Sequence, residues 1–309
     1  MKRKIMKIAD TTFVVSLPLK WAREHGVKKG DEVEMEENGP SILLSLKEKK
    51  EQIPRVTEIN LRSLSKDVIK KSVSGLYKRG FDEIKIKLAD KMQIKIIQDI
   101  VKDIFIGFIM SDQSKESCII KSISEDNASD FDRILKRLFL VNTSFFDQCL
   151  ECLRSDDFET LASLIPMEDT NNQLTNYCQR LINKGLVSDN PYFLYIIAWN
   201  LEKVADEMEY ICKYVSANKM KLSTDTLSYF EKTGNFYRAF FDFFYKYDPS
   251  KVDILNTINE ELTSLGKELF QKTSKKELFV VVCIYKMVDI INNFLTTTVG
   301  LYHTNGLEN

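Results

Sequence analysis

The stretch from residue 13 to residue 33 reads FVVSLPLKWAREHGVKKGDEV. Before Pro18, apolar residues occupy alternate positions, which is the period of a half-buried strand. Pro18 suits the first turn of a helix and Gly26 suits the position just after one, so residues 21–25 are predicted to be helical. The stretch therefore predicts a strand followed by a short helix, and then a second strand that begins near its end.

Two strand-like segments, the first of them the strand that begins near residue 33, complete this N-terminal part. Apolar residues alternate with acidic or small ones over residues 32–36 and 42–46, and Asn38-Gly39 between them is a signal for a tight hairpin turn. Four short strands and one helical turn bury too little apolar surface to be secure alone. The sequence thus predicts a small β domain over residues 1–48 that dimerises.

Charge is unevenly distributed in this domain, although the whole chain of 309 residues has a formal net charge of −1. Residues 1–30 hold eight lysines and arginines and two acidic residues, whereas residues 31–48 hold six acidic residues and one lysine. This asymmetry indicates one basic surface. Clustered basic side chains neutralise nucleic-acid phosphates and release counterions, so a DNA contact is one interpretation and a solvated charged face is the other.

The same residues resemble a known family. Leu17-Pro18, Lys20-Trp21-Ala22 and the segment from Gly26 to Asp31 follow the SpoVT–AbrB signature in residue type and spacing. The resemblance implies a swapped-hairpin β-barrel formed by two chains, with a basic face that binds DNA. The residues expected to contact DNA are Lys2, Arg3, Lys4, Lys7, Lys20 and Arg23. A barrel that serves only for dimerisation is the alternative.

The middle of the chain, residues 55–124, alternates between strand and helix patterns. Helices are expected over residues 65–79 and 91–105, and strands over 57–61, 83–88, 107–110 and 117–123. This β-α-β-α-β-β order predicts a small α/β domain with its helices on one side of a sheet.

Residues 130–303 follow the helical period throughout. Apolar residues recur at three-and-four spacing, and short breaks divide the region into six helices. The helices group into two sets of three, about 130–220 and 223–300. The prediction for this region is an all-α body of tandem three-helix bundles, and the whole chain is predicted to be a multidomain α+β protein.

One helix of this body carries a second resemblance. Residues 201–211 read LEKVADEMEYI and resemble the Leu-Glu-Arg-hydrophobic-small-Asp motif of the PhoU family of phosphate-uptake regulators. That family has two tandem three-helix bundles with carboxylate metal sites. In the first repeat the resemblance implies a divalent metal (iron, manganese or zinc) held by Glu168, Asp169, Glu202 and Asp206. Carboxylates four positions apart on a helix repel each other unless a cation neutralises them. The alternative is a solvated acidic surface whose carboxylates are neutralised by Lys203 and Arg180 in place of a metal.

Composition narrows the remaining classes of function. Hydrophobic residues make up 44% and charged residues 29% of the chain, which is typical of a globular protein. Neither a secretory signal nor an apolar run of about 20 residues is evident, so no membrane insertion is expected. The six cysteines lie in helical patterns, which favours reduced thiols in a cytoplasm. Two histidines and no phosphate-cradling glycine loop give no basis for catalysis.

Together the parts resemble archaeal phosphate-uptake regulators in which an AbrB-type domain is fused to a PhoU-like body. This resemblance implies a cytoplasmic, homodimeric transcriptional regulator of the phosphate response that binds DNA and is not an enzyme. The alternative is an adaptor that docks through its helical body on a phosphate transporter ATPase or a sensor kinase and uses the barrel only to dimerise.

Overall fold

The chain forms two compact units, Met1–Ile53 and Pro54–Asn309. The computed structural model describes residues 3–8, 11–24, 26–38, 41–46, 54–187 and 189–303. Three residues used in the sequence predictions, Lys2, His25 and Gly39, lie outside the described residues.

The N-terminal unit consists of two hairpins and a short helix. Strands β1 (Ile5–Ile8) and β2 (Thr12–Val15) form one antiparallel pair, and β3 (Val33–Asn38) and β4 (Ser41–Leu46) form another. Helix α1 (Leu19–Glu24) lies between the two pairs in sequence. The strands and the helix predicted from the apolar pattern are therefore present. Each pair is a separate two-stranded sheet, and such hairpins are at best marginally stable alone.

Two glycines and an aspartate shape the connection between α1 and β3. Gly26 has a φ of 65° and Gly30 a φ of 99°, values that favour glycine because a side chain would be strained there. The Asp31 Oδ2 atom accepts a hydrogen bond of 2.6 Å from the backbone N–H of Lys28. These contacts give a physical reason for the glycine and aspartate positions of the sequence motif.

A four-stranded sheet with two helices opens the second unit. Its elements are β5 (Val56–Asn60), α2 (Lys66–Lys78), β6 (Glu83–Lys87), α3 (Lys91–Ile104), β7 (Phe108–Gln113) and β8 (Ser117–Ser122). The strand order is β5-β6-β8-β7, with β5 and β6 parallel and the other pairs antiparallel. Side chains on one sheet face, such as Ile84, Ile86 and Ile120, are buried, whereas Lys85, Lys87 and Lys121 on the other face are exposed. This is the predicted β-α-β-α-β-β layout.

Helices make up the rest of this unit. They are α4 (Asp130–Ser155), α5 (Phe158–Ser163), α6 (Met167–Asn183), α7 (Pro191–Asn218), α8 (Thr224–Tyr245), α9 (Val252–Lys272) and α10 (Leu278–His303). The six long helices of the described region form the two predicted sets of three, α4, α6 and α7 followed by α8, α9 and α10. The short α5 was not predicted. It begins where the Asp157 side chain accepts from the backbone N–H of Thr160.

Helix α10 corrects one expectation from the sequence. The segment Leu278–Tyr302 is long and apolar enough to cross a membrane, with a mean hydropathy of 1.8 over a window of 18 residues. The expectation that no such run exists was wrong, because Lys286 and Asp289 interrupt the run without making it polar overall. However, half of the segment is buried, and residues such as Ile284 lie in the core. Helix α10 packs against α7, α8 and α9 and has the position of a core helix.

The six cysteines are all free and buried. Five of them lie on helices, whereas Cys118 lies on strand β8, so the expectation that all six lie in helical patterns was wrong for Cys118. Cys149 on α4 and Cys212 on α7 lie near each other, with 3.1 Å between their sulfur atoms. Burial raises the pKa of the Cys118 thiol to about 11, so little of this thiol is ionised at neutral pH.

Candidate functional site

The basic side chains predicted to contact DNA lie on β1, before it, and on α1. Five of the six residues are described, and the side chains of all five are exposed: Arg3, Lys4, Lys7, Lys20 and Arg23. The sixth, Lys2, lies outside the described residues.

These basic side chains have different surroundings. Lys7 pairs across the hairpin with Phe13, and its Nζ atom lies 5.9 Å from the centre of the Phe13 ring. Within the described ranges, Arg3, Lys4 and Arg23 form no ion pair with an acidic side chain. Unpaired lysine and arginine side chains can exchange their counterions for phosphate oxygens, which is the main source of affinity for DNA.

The hairpins and helix α1 also expose apolar side chains. Ile5, Phe13 and Leu19 are 72%, 69% and 62% exposed. Among the side chains described between residues 3 and 46, none is buried. Contiguous exposed apolar surface usually marks a contact with another protein. A single chain therefore leaves the core of this unit incomplete.

The acidic residues predicted to bind a metal lie near one another on α6 and α7. We define the acidic cluster as Glu168, Asp169, Glu202, Asp206 and Glu209. Burial is the main cause that raises the pKa of Glu168 to about 8, and the negative charges of the other four residues add to it. Glu209 was missed from the sequence, although it lies seven positions after Glu202 and therefore near it on the helix surface.

Within the described residues, two lysines form ion pairs with this cluster. Lys213 Nζ lies 2.5 Å from Glu209 Oε1, and Lys203 Nζ lies 2.7 Å from Asp206 Oδ2 and 3.6 Å from Glu202 Oε1. Asn172 donates a hydrogen bond to Glu168 Oε1. Within the part of the chain that the structure describes, no three His, Cys, Asp or Glu side chains converge closely enough to hold a metal ion. This arrangement fits an ammonium group better than a metal, and the metal site stays a prediction.

Arg180, which was the other candidate to neutralise the cluster, has different partners. Its Nε donates to Asp126 Oδ2 at 3.0 Å, and its Nη2 donates to Asp82 Oδ1 at 2.5 Å. Lys184 Nζ donates to both aspartates at 2.8 Å. The suggestion that Arg180 balances the acidic cluster is therefore wrong, because this side chain is fully buried between α6 and the α/β layer.

The buried group of Arg180, Lys184, Asp82 and Asp126 was missed from the sequence, and we call it the interlayer quartet. Burial pushes the pKa of Asp82 upward, but hydrogen bonds from Lys184 and a backbone N–H, together with the two cationic charges, outweigh it and leave that pKa lowered. Arg180 also lies over the Tyr77 ring at 5.1 Å. An arginine on the apolar face of a periodic helix was the signal available, because such a charge needs buried partners.

A groove of about 380 Å³ lies between α8 and α9 in the second bundle. Phe236, Leu262 and Leu265 form its apolar wall, and the exposed Lys232 and Glu261 border it. None of the residues predicted from the sequence to contact DNA or to bind a metal lines this groove.

Comparisons with known proteins agree with the sequence most clearly in the N-terminal unit. The crystal structure of the phosphate transport system regulatory protein PhoU from Streptococcus pneumoniae is similar over 59% of this chain and 97% of that chain, with 16% identity and a TM-score of 0.48. No curated protein sequence matches the chain. Residues 7–54 match the family described as "Antidote-toxin recognition MazE, bacterial antitoxin". The N-terminal unit is therefore of the MazE and AbrB type.

Proposed function

We propose that the protein is a homodimeric, DNA-binding transcriptional regulator of phosphate uptake, with a helical body that senses a signal or docks on a partner. One observation carries the proposal. The N-terminal unit, which matches the MazE family over residues 7–54, presents the exposed basic side chains of Arg3, Lys4, Lys7, Lys20 and Arg23. Such a surface attracts DNA phosphates independently of the base sequence.

Dimerisation through the N-terminal unit is supported by the observation that none of its described side chains between residues 3 and 46 is buried. The described side chains of its two hairpins are all exposed or half-buried, and residues such as Phe13 would be covered by the same surface of a second copy. A second copy also doubles the number of basic side chains that face one DNA duplex. Symmetric pairing of this kind is the commonest arrangement of soluble oligomers.

The phosphate response in this proposal rests on the PhoU-type motif of residues 201–211, which lies in α7 within the first set of three helices. For the body to control DNA binding, its signal must bind one conformation of the dimer more tightly than another. We assign no catalytic role to the chain and place its function in the cytoplasm.

A second candidate function is an adaptor that docks on a phosphate transporter ATPase or a sensor kinase. One observation favours it: helix α7 exposes the apolar side chains of Tyr192, Ile196 and Trp199. In that case the N-terminal unit only holds two chains together.

DNA binding by the full-length protein in a salt series separates the two functions. The regulator is expected to bind duplex DNA at low salt, with an affinity that falls steeply as salt rises. Charge reversal at two exposed positions, Lys4→Glu with Arg23→Glu, is expected to weaken binding at least tenfold while the dimer persists. The matched control, Lys70→Glu with Lys71→Glu, reverses two exposed charges on α2 and is expected to bind like the wild type.

The same series can reject the proposal. If the wild-type protein binds no DNA at low salt, the regulator interpretation fails and the adaptor remains. If the Lys4→Glu and Arg23→Glu variant becomes monomeric, these two charges support the dimer and do not serve DNA contact.

A further inference from the structure

Helix α7 carries an exposed apolar line that contact with DNA does not use. We define the α7 stripe as Tyr192, Ile196 and Trp199, whose side chains are 83%, 41% and 49% exposed. Spacings of four and three residues place them on one face of the helix over about 10 Å. Tyrosine and tryptophan are enriched at the centres of protein–protein contacts, where they contribute much of the binding free energy.

Phe193, the residue after Tyr192 on α7, packs inside the helical body. The Phe193 ring lies against Gly300 of α10, so close that a Cβ atom on this glycine would come within 2.9 Å of the ring. Phe193 therefore contributes to the contact between α7 and α10. Tyr192, one position earlier, leaves most of its surface exposed. The α7 stripe lies outside the packed core of the protein.

The acidic cluster begins where the α7 stripe ends. Lys203 and Asp206 continue the face of Trp199 by one and two helical turns, and Glu202 and Glu209 lie beside that face. Glu168 keeps its proton at neutral pH because its pKa is raised to about 8, so the other four carboxylates carry the charge of the cluster. Within the described ranges only Lys203 and Lys213 form ion pairs with them. An apolar segment is thus followed by a segment with excess negative charge on the same surface.

We propose that the α7 stripe and the acidic cluster form one docking surface for a basic amphipathic helix of another protein. The apolar side chains of that helix, spaced three and four residues apart, would pack on the stripe. Its lysine or arginine side chains, about two turns further along, would meet the carboxylates. A second copy of this chain would bring the same excess of carboxylates, and an anionic membrane would be repelled.

This docking surface goes beyond DNA binding and does not depend on it, and its test contains no DNA. The probe is a fluorescein-labelled helical peptide of about 18 residues, with leucines at helical spacing in its first half and arginines on the same face of its second half. Binding to the full-length protein is measured by anisotropy. We expect saturable binding that weakens as salt rises, because screening reduces the attraction between the arginines of the peptide and the half-buried carboxylates of the cluster.

Two peptides and three protein variants give the matched controls. A peptide with glutamates in place of the arginines, and one with the same residues in scrambled order, are expected to bind at least tenfold more weakly. Ile196→Glu is expected to weaken binding of the basic peptide at least tenfold. The double variant Glu202→Gln and Asp206→Asn should weaken it severalfold and flatten its salt dependence. Ile254→Glu, at an exposed apolar position on α9, should leave it unchanged.

A second measurement uses the tryptophan of the stripe itself. The chain has two tryptophans, so Trp199 is the only one in the Trp21→Phe variant. Its emission should shift to shorter wavelength when the basic peptide covers the indole. Equal binding of the glutamate peptide, no saturable binding of the basic peptide up to about millimolar concentration, or loss of self-association caused by Ile196→Glu would each overturn the proposal.

Discussion

Arg180 joins the α/β layer to the helical body through charged contacts that are buried. It is fully buried and shares Asp82 and Asp126 with Lys184. A buried charge is tolerated only when partners compensate for its lost hydration. The guanidinium does this by donating to both carboxylates and to the backbone carbonyl of Phe81 at 2.7 Å.

Removing this guanidinium is expected to destabilise the second unit strongly. Among the described residues, Arg180→Met leaves Lys184 as the only ion-pair partner of Asp82 and Asp126, and breaking a buried pair from one side costs about 3 kcal/mol or more. Urea unfolding gives the free energy of unfolding of the variant. The control, Arg133→Met, removes an exposed arginine paired with Asp130 and should cost less than about 1 kcal/mol. Similar losses for both variants would contradict the role assigned to the interlayer quartet.

Glu168 is expected to make the stability of the protein depend on pH. Its folded-state pKa of about 8 lies above the ordinary value of 4.5, so between these pH values the folded state holds a proton that the unfolded state has lost. The contribution of this group to stability therefore falls as pH rises through that interval.

The Glu168→Gln variant removes this titration, so its stability relative to the wild type should increase between about pH 5 and about pH 8. Urea unfolding at both pH values measures the change. Glu159→Gln, at an exposed position on α5, is the control and should give the same difference at both pH values. A constant difference for Glu168→Gln as well would show that its carboxyl has no raised pKa.

At the predicted metal site, Lys203 and a divalent metal ion would compete for the same carboxylates. If Glu202 and Asp206 bind a divalent cation, the metal must displace the ammonium group that lies 2.7 Å from Asp206 Oδ2. Manganese should then raise the melting temperature of Lys203→Gln more than that of the wild type. Chelator-free protein and differential scanning fluorimetry test this. No manganese-dependent shift in either protein would remove the metal site.

The elements of secondary structure follow from local patterns, whereas their distant contacts do not. The strands β2, β3 and β4, the helices α2 and α3 and the six long helices of the body each have a clear apolar period and identifiable ends, so they were predicted from the sequence. Strand β1 was counted among four strands but not located, because Ile5 and Met6 break the alternation. The short α5 was missed because six residues are too few to show a helical period.

Contacts between residues that lie far apart in the chain could not be predicted from the sequence. Arg180 and Asp82 are 98 positions apart, so no local spacing connects them. Lys203 was recognised as a neutralising residue because it lies beside Glu202 in the same helix. The exposure of Trp199 was also hidden, since its neighbours Ile197, Ala198 and Leu201 are buried. Interactions between neighbours in one helix could therefore be predicted from the sequence, whereas packing partners could not.

Association through the hairpins is the prediction that belongs to the elements. Phe13→Asp places a charge in the apolar surface of the β1–β2 hairpin, which is 69% exposed at this position in one chain. We expect the variant to sediment as a monomer, because burying an unpaired carboxylate opposes the contact. Ile123→Asp, at a position 62% exposed in the second unit, is the control and should sediment like the wild type. A dimer that persists in Phe13→Asp would contradict pairing through the hairpins.

At the scale of the whole molecule, the chain combines an N-terminal unit similar to the MazE family with a helical body of two three-helix bundles. The N-terminal unit contains the basic side chains, and the body contains the acidic cluster and the α7 stripe. Opposite charge in the two units suits two different partners, DNA for the basic surface and a basic helix for the acidic one. Regulation then requires that binding at the body changes the affinity of the dimer for DNA.

The proposed regulation of phosphate uptake through DNA binding is tested by the genome-wide occupancy of the native protein under phosphate limitation and phosphate repletion. We expect discrete binding sites next to genes of phosphate uptake, with occupancy that differs between the two conditions. We also expect these sites to be lost in the Lys4→Glu and Arg23→Glu variant. Occupancy that shows no discrete sites in either condition, or sites that the variant retains, would contradict the proposal.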